Sequence, residues 1–290
     1  MPDFLSPSEY FHRNKSRPRK HFGQHFLAQP STAERIVQNC ELRESDAAVE
    51  IGPGLGALTR FLLPEVKKLH LIEVDREIIA YLRERIPPEK SALYEQDALS
   101  FDFGNLADSE QNRLIVLGNL PYNISSPLMF HLLECFPAIE RAVFMVQKEV
   151  GMRFAAAPGC KDYGVLSVLL GIYSKVRILF SVGPRQFYPP PKVDSIVLRI
   201  DFAEKHPDGP EFEFLRKLVS KAFQQRRKIL GNSLSGVFGL SASAVFNACE
   251  KVGIDPKRRP ETLCAQEFLA LARSIKQSLS AIGCKIPSLC

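Results

Sequence analysis

Short apolar runs alternate with stretches of helical periodicity along most of this chain. Residues 31–39 space their apolar positions as one face of a helix, with Ser31 as its cap. Residues 47–51 form a short strand-like run, followed by a glycine cluster and a helical stretch at 57–63. The alternation continues: strand at 69–74, helix at 76–85, strands beginning at 92–94 and 114–117, helix at 127–135, strand at 142–146. Runs of this kind, separated by helices, predict a parallel, doubly wound sheet covered on both faces. Residues 175–181 and 195–202 read as two further strands joined by the proline-rich loop 184–191. Strands joined without a helix are antiparallel, so an α/β sheet with an antiparallel edge hairpin is expected. Beyond residue 204 the pattern changes. Residues 205–210 have linker composition, and helical periodicity covers 212–230, 242–252 and 265–278. Three regions follow: a basic extension at 1–30, an α/β domain at 31–204, and a small all-α domain at 205–290.

Length and composition fit this division. At about 150 residues per domain, 290 residues favour two domains. With 45% hydrophobic and 24% charged residues, wholesale disorder is excluded. No run of about 18 apolar residues is uninterrupted, so no membrane span is expected. The nearest candidate, 165–182, carries Lys175 and Arg177. No apolar run follows a basic start, and Asp3 and Glu9 fit a mitochondrial presequence poorly, so a cytoplasmic protein is expected. The seven cysteines form no C-x-x-C pair, and their count is odd. Reduced thiols and no metal site are expected.

Charge adds a hint of a partner. The net charge of +6 divides into +3 over residues 1–28, −4 over 29–204 and +7 over 205–290. Basic ends around a mildly acidic centre suit a bound polyanion, though solvated basic faces would look the same.

Candidate chemistry lies at the strand ends. Gly52-Pro53-Gly54-Leu55-Gly56 joins the first strand to its helix, where glycines let the backbone approach a ligand. Glu73, 21 residues after Gly52, could accept hydrogen bonds from both ribose hydroxyls of an adenosine ligand. The spacing is G-x-G-x-G and not that of a dinucleotide site, which favours a nucleoside ligand without phosphates, S-adenosylmethionine. Asp97 could accept from the adenine amine of that cofactor, or simply cap a turn. Gly118-Asn119-Leu120-Pro121-Tyr122 follows the fourth strand and is the sharpest signal. An adenine amine is a poor nucleophile, because its lone pair is delocalised. The Asn119 side-chain oxygen and the Leu120 carbonyl could hold its two N–H groups, while Pro121 stiffens the turn and Tyr122 offers a stacking face. Phe187, in the proline-rich loop, could be a second stacking face. Arg226, Arg227 and Lys228 fall on about three-quarters of a helical turn and could neutralise phosphates, with Lys257, Arg258 and Arg259 as a second cluster and residues 17–22 as a third. Each cluster alone could equally be a solvated face.

Taken together, residues 20–27, 50–59, 72–75, 97–98, 118–126, 145–150, 187–195, 222–228, 253–255 and 259–263 resemble the ribosomal RNA adenine dimethyltransferase family. The resemblance implies a Rossmann-like methyltransferase domain with a helical C-terminal domain. It implies transfer of two methyls from S-adenosylmethionine to N6 of each of two adjacent adenines near the 3′ end of small-subunit rRNA. The partner is then rRNA in a ribosomal assembly particle, met by a monomer. The family's cofactor pocket maps onto His25, Leu27, Gly52, Gly54, Glu73, Asp97 and Asn119. Where the family has Asn in its Gly-Gln-Asn-Phe-Leu segment, this chain has His25, whose imidazole N–H can still donate. Two rivals share the pocket: the large-subunit methyltransferases of macrolide resistance, and non-catalytic descendants such as a mitochondrial transcription factor. The Gln-Gln-Arg-Arg-Lys and Arg-Pro-Glu-Thr-Leu segments favour the small-subunit enzyme over the first. The intact Asn119-Leu120-Pro121-Tyr122 counts against the second.

Overall fold

The structure, a computed structural model, describes residues 3–19, 22–204 and 212–281. The expected linker at 205–210 lies outside the described residues, as do Lys20, His21, Cys284 and Cys290.

The chain begins with α1 (Pro7–Arg13), β1 (Phe26–Leu27), α2 (Pro30–Gln38), β2 (Ala47–Ile51), α3 (Thr59–Leu62), β3 (Leu69–Glu73) and α4 (Arg76–Arg83). Next come β4 (Ser91–Glu95), α5 (Phe103–Glu110), β5 (Leu114–Asn119), α6 (Ser125–Glu134), β6 (Ile139–Gln147), α7 (Lys148–Phe154) and α8 (Val165–Tyr173). Then follow β7 (Ser174–Val182), β8 (Phe187–Tyr188), β9 (Ser195–Phe202), α9 (Phe212–Gln224), α10 (Leu230–Ser233), α11 (Ala242–Glu250) and α12 (Ala265–Ala281). They form two compact units, Met1–Met152 with Lys175–Glu204, and Arg153–Ser174 with Lys205–Cys290. The boundary expected near 205 is therefore one of two crossings, and residues 153–174 join the helical unit.

In the first unit seven strands lie in the order β4-β3-β2-β5-β6-β9-β7. From β4 through β6 all neighbours are parallel, and β9 runs antiparallel to β6 from Gln147↔Ser195 to Arg141↔Asp201. The central strands are apolar because helices cover both faces: every residue of β2 and β3 is buried. The edge strand β7 instead carries Lys175 and Arg177, and Arg177 pairs with Asp201 of β9 at 2.9 Å. Charges of this kind blunt an open edge. Between β2 and β5 the strand order reverses direction. In open parallel sheets the carboxyl ends at that point form the ligand crevice.

Two local expectations change. Gln29, not Ser31, stands at the N-cap position of α2 without a side-chain capping bond, because Pro30 occupies the first turn and is pre-set for a helix start. The expected extension is ordered at residues 7–13: α1 carries a capping box between Ser6 and Glu9 and buries Tyr10 and Phe11. The apolar run 165–182 resolves into a buried helix and an edge strand. Among the described residues no helix is long and apolar enough to cross a membrane. In the helical unit α8 buries seven of its nine residues. Tyr163 Oη donates to Leu263 O at 2.9 Å, and Ser274 Oγ to Ala248 O at 2.9 Å.

Candidate active site

A cavity of about 550 Å³ opens at the carboxyl ends of β2, β3 and β5. Its size is that of a small-molecule or cofactor site. His25, Leu27, Gly52, Gly54, Glu73, Asp97, Asn119, Leu120, Pro121 and Tyr122 all line it, so ten positions spread over almost a hundred residues meet in one place.

The glycine turn is built as expected. Gly52 and Gly54 have φ of +64° and +52°, a region that side chains other than glycine rarely adopt. At Gly54 a Cβ would also stand 3.1 Å from the Phe26 ring. The turn is fastened by Gly52 N donating to Ile72 O at 2.9 Å. Beneath it Glu50 is buried, with Oε2 accepting from Thr59 Oγ1 at 2.7 Å. Burial pushes its carboxyl up to about 8, against the Thr59 hydrogen bond that lowers it, so it is protonated at neutral pH. Glu50 lines the cavity and opens the 50–59 segment, though the spacing of that segment assigns it no role.

Glu73 ends β3 and is also buried. Its Oε1 accepts from Val74 N at 2.8 Å and Asp75 N at 3.0 Å, and Oε2 lies 3.4 Å from Gly54 N. Burial raises its pKa, and these backbone donors oppose the rise. Glu73 therefore spends one oxygen on its own turn and turns the other toward the glycine loop. Asp97 is exposed at the rim, and its Oδ1 accepts from Leu99 N at 2.9 Å. It is both a turn cap and a wall of the cavity.

At the end of β5, Asn119 Nδ2 donates to His25 O at 2.8 Å. That bond fixes the amide and leaves Oδ1 as an acceptor. Gly118 lets β5 approach β2, since a Cβ there would stand 2.5 Å from Ile51 O. Leu120 N donates to Met145 O at 3.0 Å, which holds the turn on β6. His25 stacks on Tyr122, with ring centroids 5.4 Å apart and planes 27° apart. Its Nδ1 bonds Pro189 O at 2.7 Å. A carbonyl only accepts, so that nitrogen carries the proton, and the donor expected to face the cofactor faces the proline-rich loop instead.

Phe187 is not a free stacking face. It is 5% exposed and sits opposite Leu27 in the two-stranded ribbon β1–β8. Consecutive residues of a strand face opposite sides, so its neighbour Tyr188 is the exposed one, at 37%.

The basic residues also separate. Helix α9 ends at Gln224, so Arg226, Arg227 and Lys228 lie in the turn after it and not on a helical face. Leu230 N donates to Arg258 O at 2.7 Å and Gly231 N to Pro256 O at 3.0 Å, which brings the 257–259 cluster beside that turn. Arg227, Lys228, Lys257 and Arg259 are exposed. Arg226 instead pairs with Glu261 at 3.3 Å and donates to Lys161 O. Arg258 forms a two-pronged pair with Glu267. In the third cluster Arg19 bonds the buried Asp75 at 3.1 Å and also Glu77, so it fastens the N-terminal segment.

Comparison with known proteins settles the lineage. Residues 15–277 match the ribosomal RNA adenine dimethylase family. The chain belongs to that family. It is 48% identical to ribosomal RNA small subunit methyltransferase A of Laribacter hongkongensis over 256 residues, 88% of this chain and 95% of that one. The Pseudomonas aeruginosa protein of the same name is 44% identical, over 90% of this chain and 96% of its own. Among solved structures, a dimethyladenosine transferase from Plasmodium falciparum superposes with a TM-score of 0.76 at 26% identity, covering 90% of this chain and all of that one. The 23S rRNA methyltransferase ErmE superposes with 0.65 at 26% identity, over 87% of this chain and all of its own. The family uses S-adenosylmethionine as methyl donor, and the fold is the Rossmann-like methyltransferase fold with a helical addition.

Proposed function

We propose that this enzyme methylates N6 of adenine in small-subunit ribosomal RNA, twice on each of two adjacent adenines near the 3′ end. The observation that carries the chemistry is the fixed amide of Asn119 at the cavity wall, beside the ring of Tyr122. The cavity suits the cofactor: Gly52 and Gly54 allow close backbone approach, Glu73 Oε2 is placed for ribose hydroxyls, and Asp97 for the adenine amine. Bound there, S-adenosylmethionine supplies a methyl on a sulfonium sulfur, which leaves as a neutral thioether.

The chain's own part is to make the target amine nucleophilic. Asn119 Oδ1 and the Leu120 carbonyl accept its two N–H groups, which favours a pyramidal nitrogen with its lone pair toward the methyl. Tyr122 provides the face for the flipped base. Both acceptors are neutral, and no general base is needed. The amine nitrogen gains the methyl and then loses a proton to water. Preorganised acceptors of this kind act without reorganising during the reaction.

Arg227, Lys228, Lys257 and Arg259 contact rRNA phosphates, supported by their exposure and by the +7 charge of residues 205–290. On this reading the enzyme works as a monomer on an assembling small-subunit particle in the cytoplasm. Mapping dimethyladenosine in rRNA from cells with and without the protein is the test. The small-subunit marks should vanish with it. Loss of a large-subunit mark instead would move the enzyme to the macrolide-resistance type.

A further inference from the structure

Residues 3–14 precede the stretch that matches the family, which begins at residue 15. Yet Phe4, Leu5, Ser6, Pro7 and Glu9 form one wall of the cavity. The segment is fastened at several points. Phe4 is 7% exposed, and its ring lies against Gly56, where a Cβ would come within 2.4 Å of it. Phe4 O accepts from Arg60 Nη2 at 3.1 Å, and the Arg60 guanidinium lies 5.5 Å from the Phe4 ring centre. Leu5 N donates to Tyr81 Oη at 2.8 Å. Further on, Tyr10 meets Tyr81 edge-on at 5.0 Å, and Phe11 stacks on Tyr188 at 6.0 Å. The segment thus runs from the glycine turn, across α4, to the β1–β8 ribbon.

We propose that residues 4–13 are a gate on the cofactor cavity that sets how fast S-adenosylmethionine enters and its demethylated product leaves. The capping box fixes α1 as a short rigid piece, and its aromatic side chains anchor it without a covalent tie. Parting it from the cavity exposes Phe4, Tyr10 and Phe11 but leaves the sheet intact. It is a local opening of the kind that costs less than unfolding. Exchange then waits on that opening in both directions.

This rests on the cavity being the cofactor's, so the experiment separates the two. Association and dissociation of S-adenosylhomocysteine are followed by stopped-flow fluorescence in the full chain, in Phe4→Ala, and in a chain shortened to residues 15–290. Glu73→Ala serves as the control on the cavity. The gate predicts that both rate constants rise, at least threefold in Phe4→Ala and tenfold in the shortened chain, with a smaller change in Kd. Dissociation rising alone makes Phe4 a contact and not a gate, and overturns the proposal. Rates within twofold of the full chain, with Glu73→Ala binding weakly, overturn it too. Tight binding by Glu73→Ala instead removes the cavity assignment. Should the shortened chain not fold, hydrogen exchange of residues 4–13 in the intact protein decides. Bound S-adenosylhomocysteine must slow it, and unchanged exchange refutes the gate.

Discussion

Around the cavity, residues 25, 52, 73, 97 and 119 converge, whereas in the helical unit six basic residues divide between exposed and internally paired states. The difference lies in what positions each set. Parallel strands end at one edge of the sheet, so a motif that follows a strand inherits that strand's address. A basic run has no such address. Arg226 and Arg258 sit within the same short clusters as Arg227 and Arg259, yet face carboxylates of their own unit. Spacing at strand ends therefore predicts place, while a run of like charges predicts only composition.

Breaking the cavity side should give the largest effect. Asn119→Ala removes one acceptor for the target amine, and methyl incorporation should fall about 10²–10³-fold with circular dichroism unchanged. Activity within tenfold of wild type would sink the two-acceptor mechanism. Glu73→Ala should weaken S-adenosylhomocysteine by about tenfold to a hundredfold in calorimetry, the range for hydrogen bonds to a charged group. RNA affinity should stay the same.

The helical unit sharpens the contrast at a smaller scale. Arg227→Ala with Lys228→Ala should make the plot of log RNA affinity against log salt shallower by about 1–2. Arg258→Ala should leave that slope alone and lower Tm, because Glu267 loses its partner. Equal slope changes in both variants would erase the distinction between exposed and paired residues.

Glu50 supplies a pH signature peculiar to the cavity side. Its folded pKa of about 8 lies above the ordinary 4.5, so between these values the folded state holds the proton more tightly than the unfolded chain. Stability from this group is full below pH 4.5 and is lost as pH rises toward 8. Glu50→Gln should flatten that decline, and Tm should gain on wild type by about 2–4 °C per kcal/mol as pH climbs. Parallel Tm curves from pH 5 to 8.5 would show that Glu50 is not buried protonated. The smallest effect is at position 25. His25→Asn should leave cofactor affinity within about threefold, since the ring's donor serves Pro189.

Much of this was legible in the sequence, for reasons specific to each residue. The central strands β2, β5 and β6 are largely apolar runs because helices cover both faces, and the glycine turn and Asn119 follow them at fixed points. Phe187 reads as a loop residue because nothing in the sequence marks a two-residue strand, and so nothing marks which of 187 and 188 faces inward. The cluster 226–228 reads as helical because the apolar pattern runs on through Ile229 and Leu230, past the end of α9 at Gln224. Residues 4–13 give no signal in the sequence because their partners, Gly56, Arg60 and Tyr81, are 52 to 76 positions away. Glu50 hid inside an apolar strand, where its only sign was a charge out of place.

The bond between Asn119 and residue 25 runs to a main-chain carbonyl. Every amino acid carries that oxygen, so the side chain at 25 can be replaced without releasing the amide beside it. The reactive geometry and the identity of its neighbour are thereby inherited separately. An imidazole or a carboxamide can stand at 25, and the main-chain oxygen that orients the neighbouring amide stays the same.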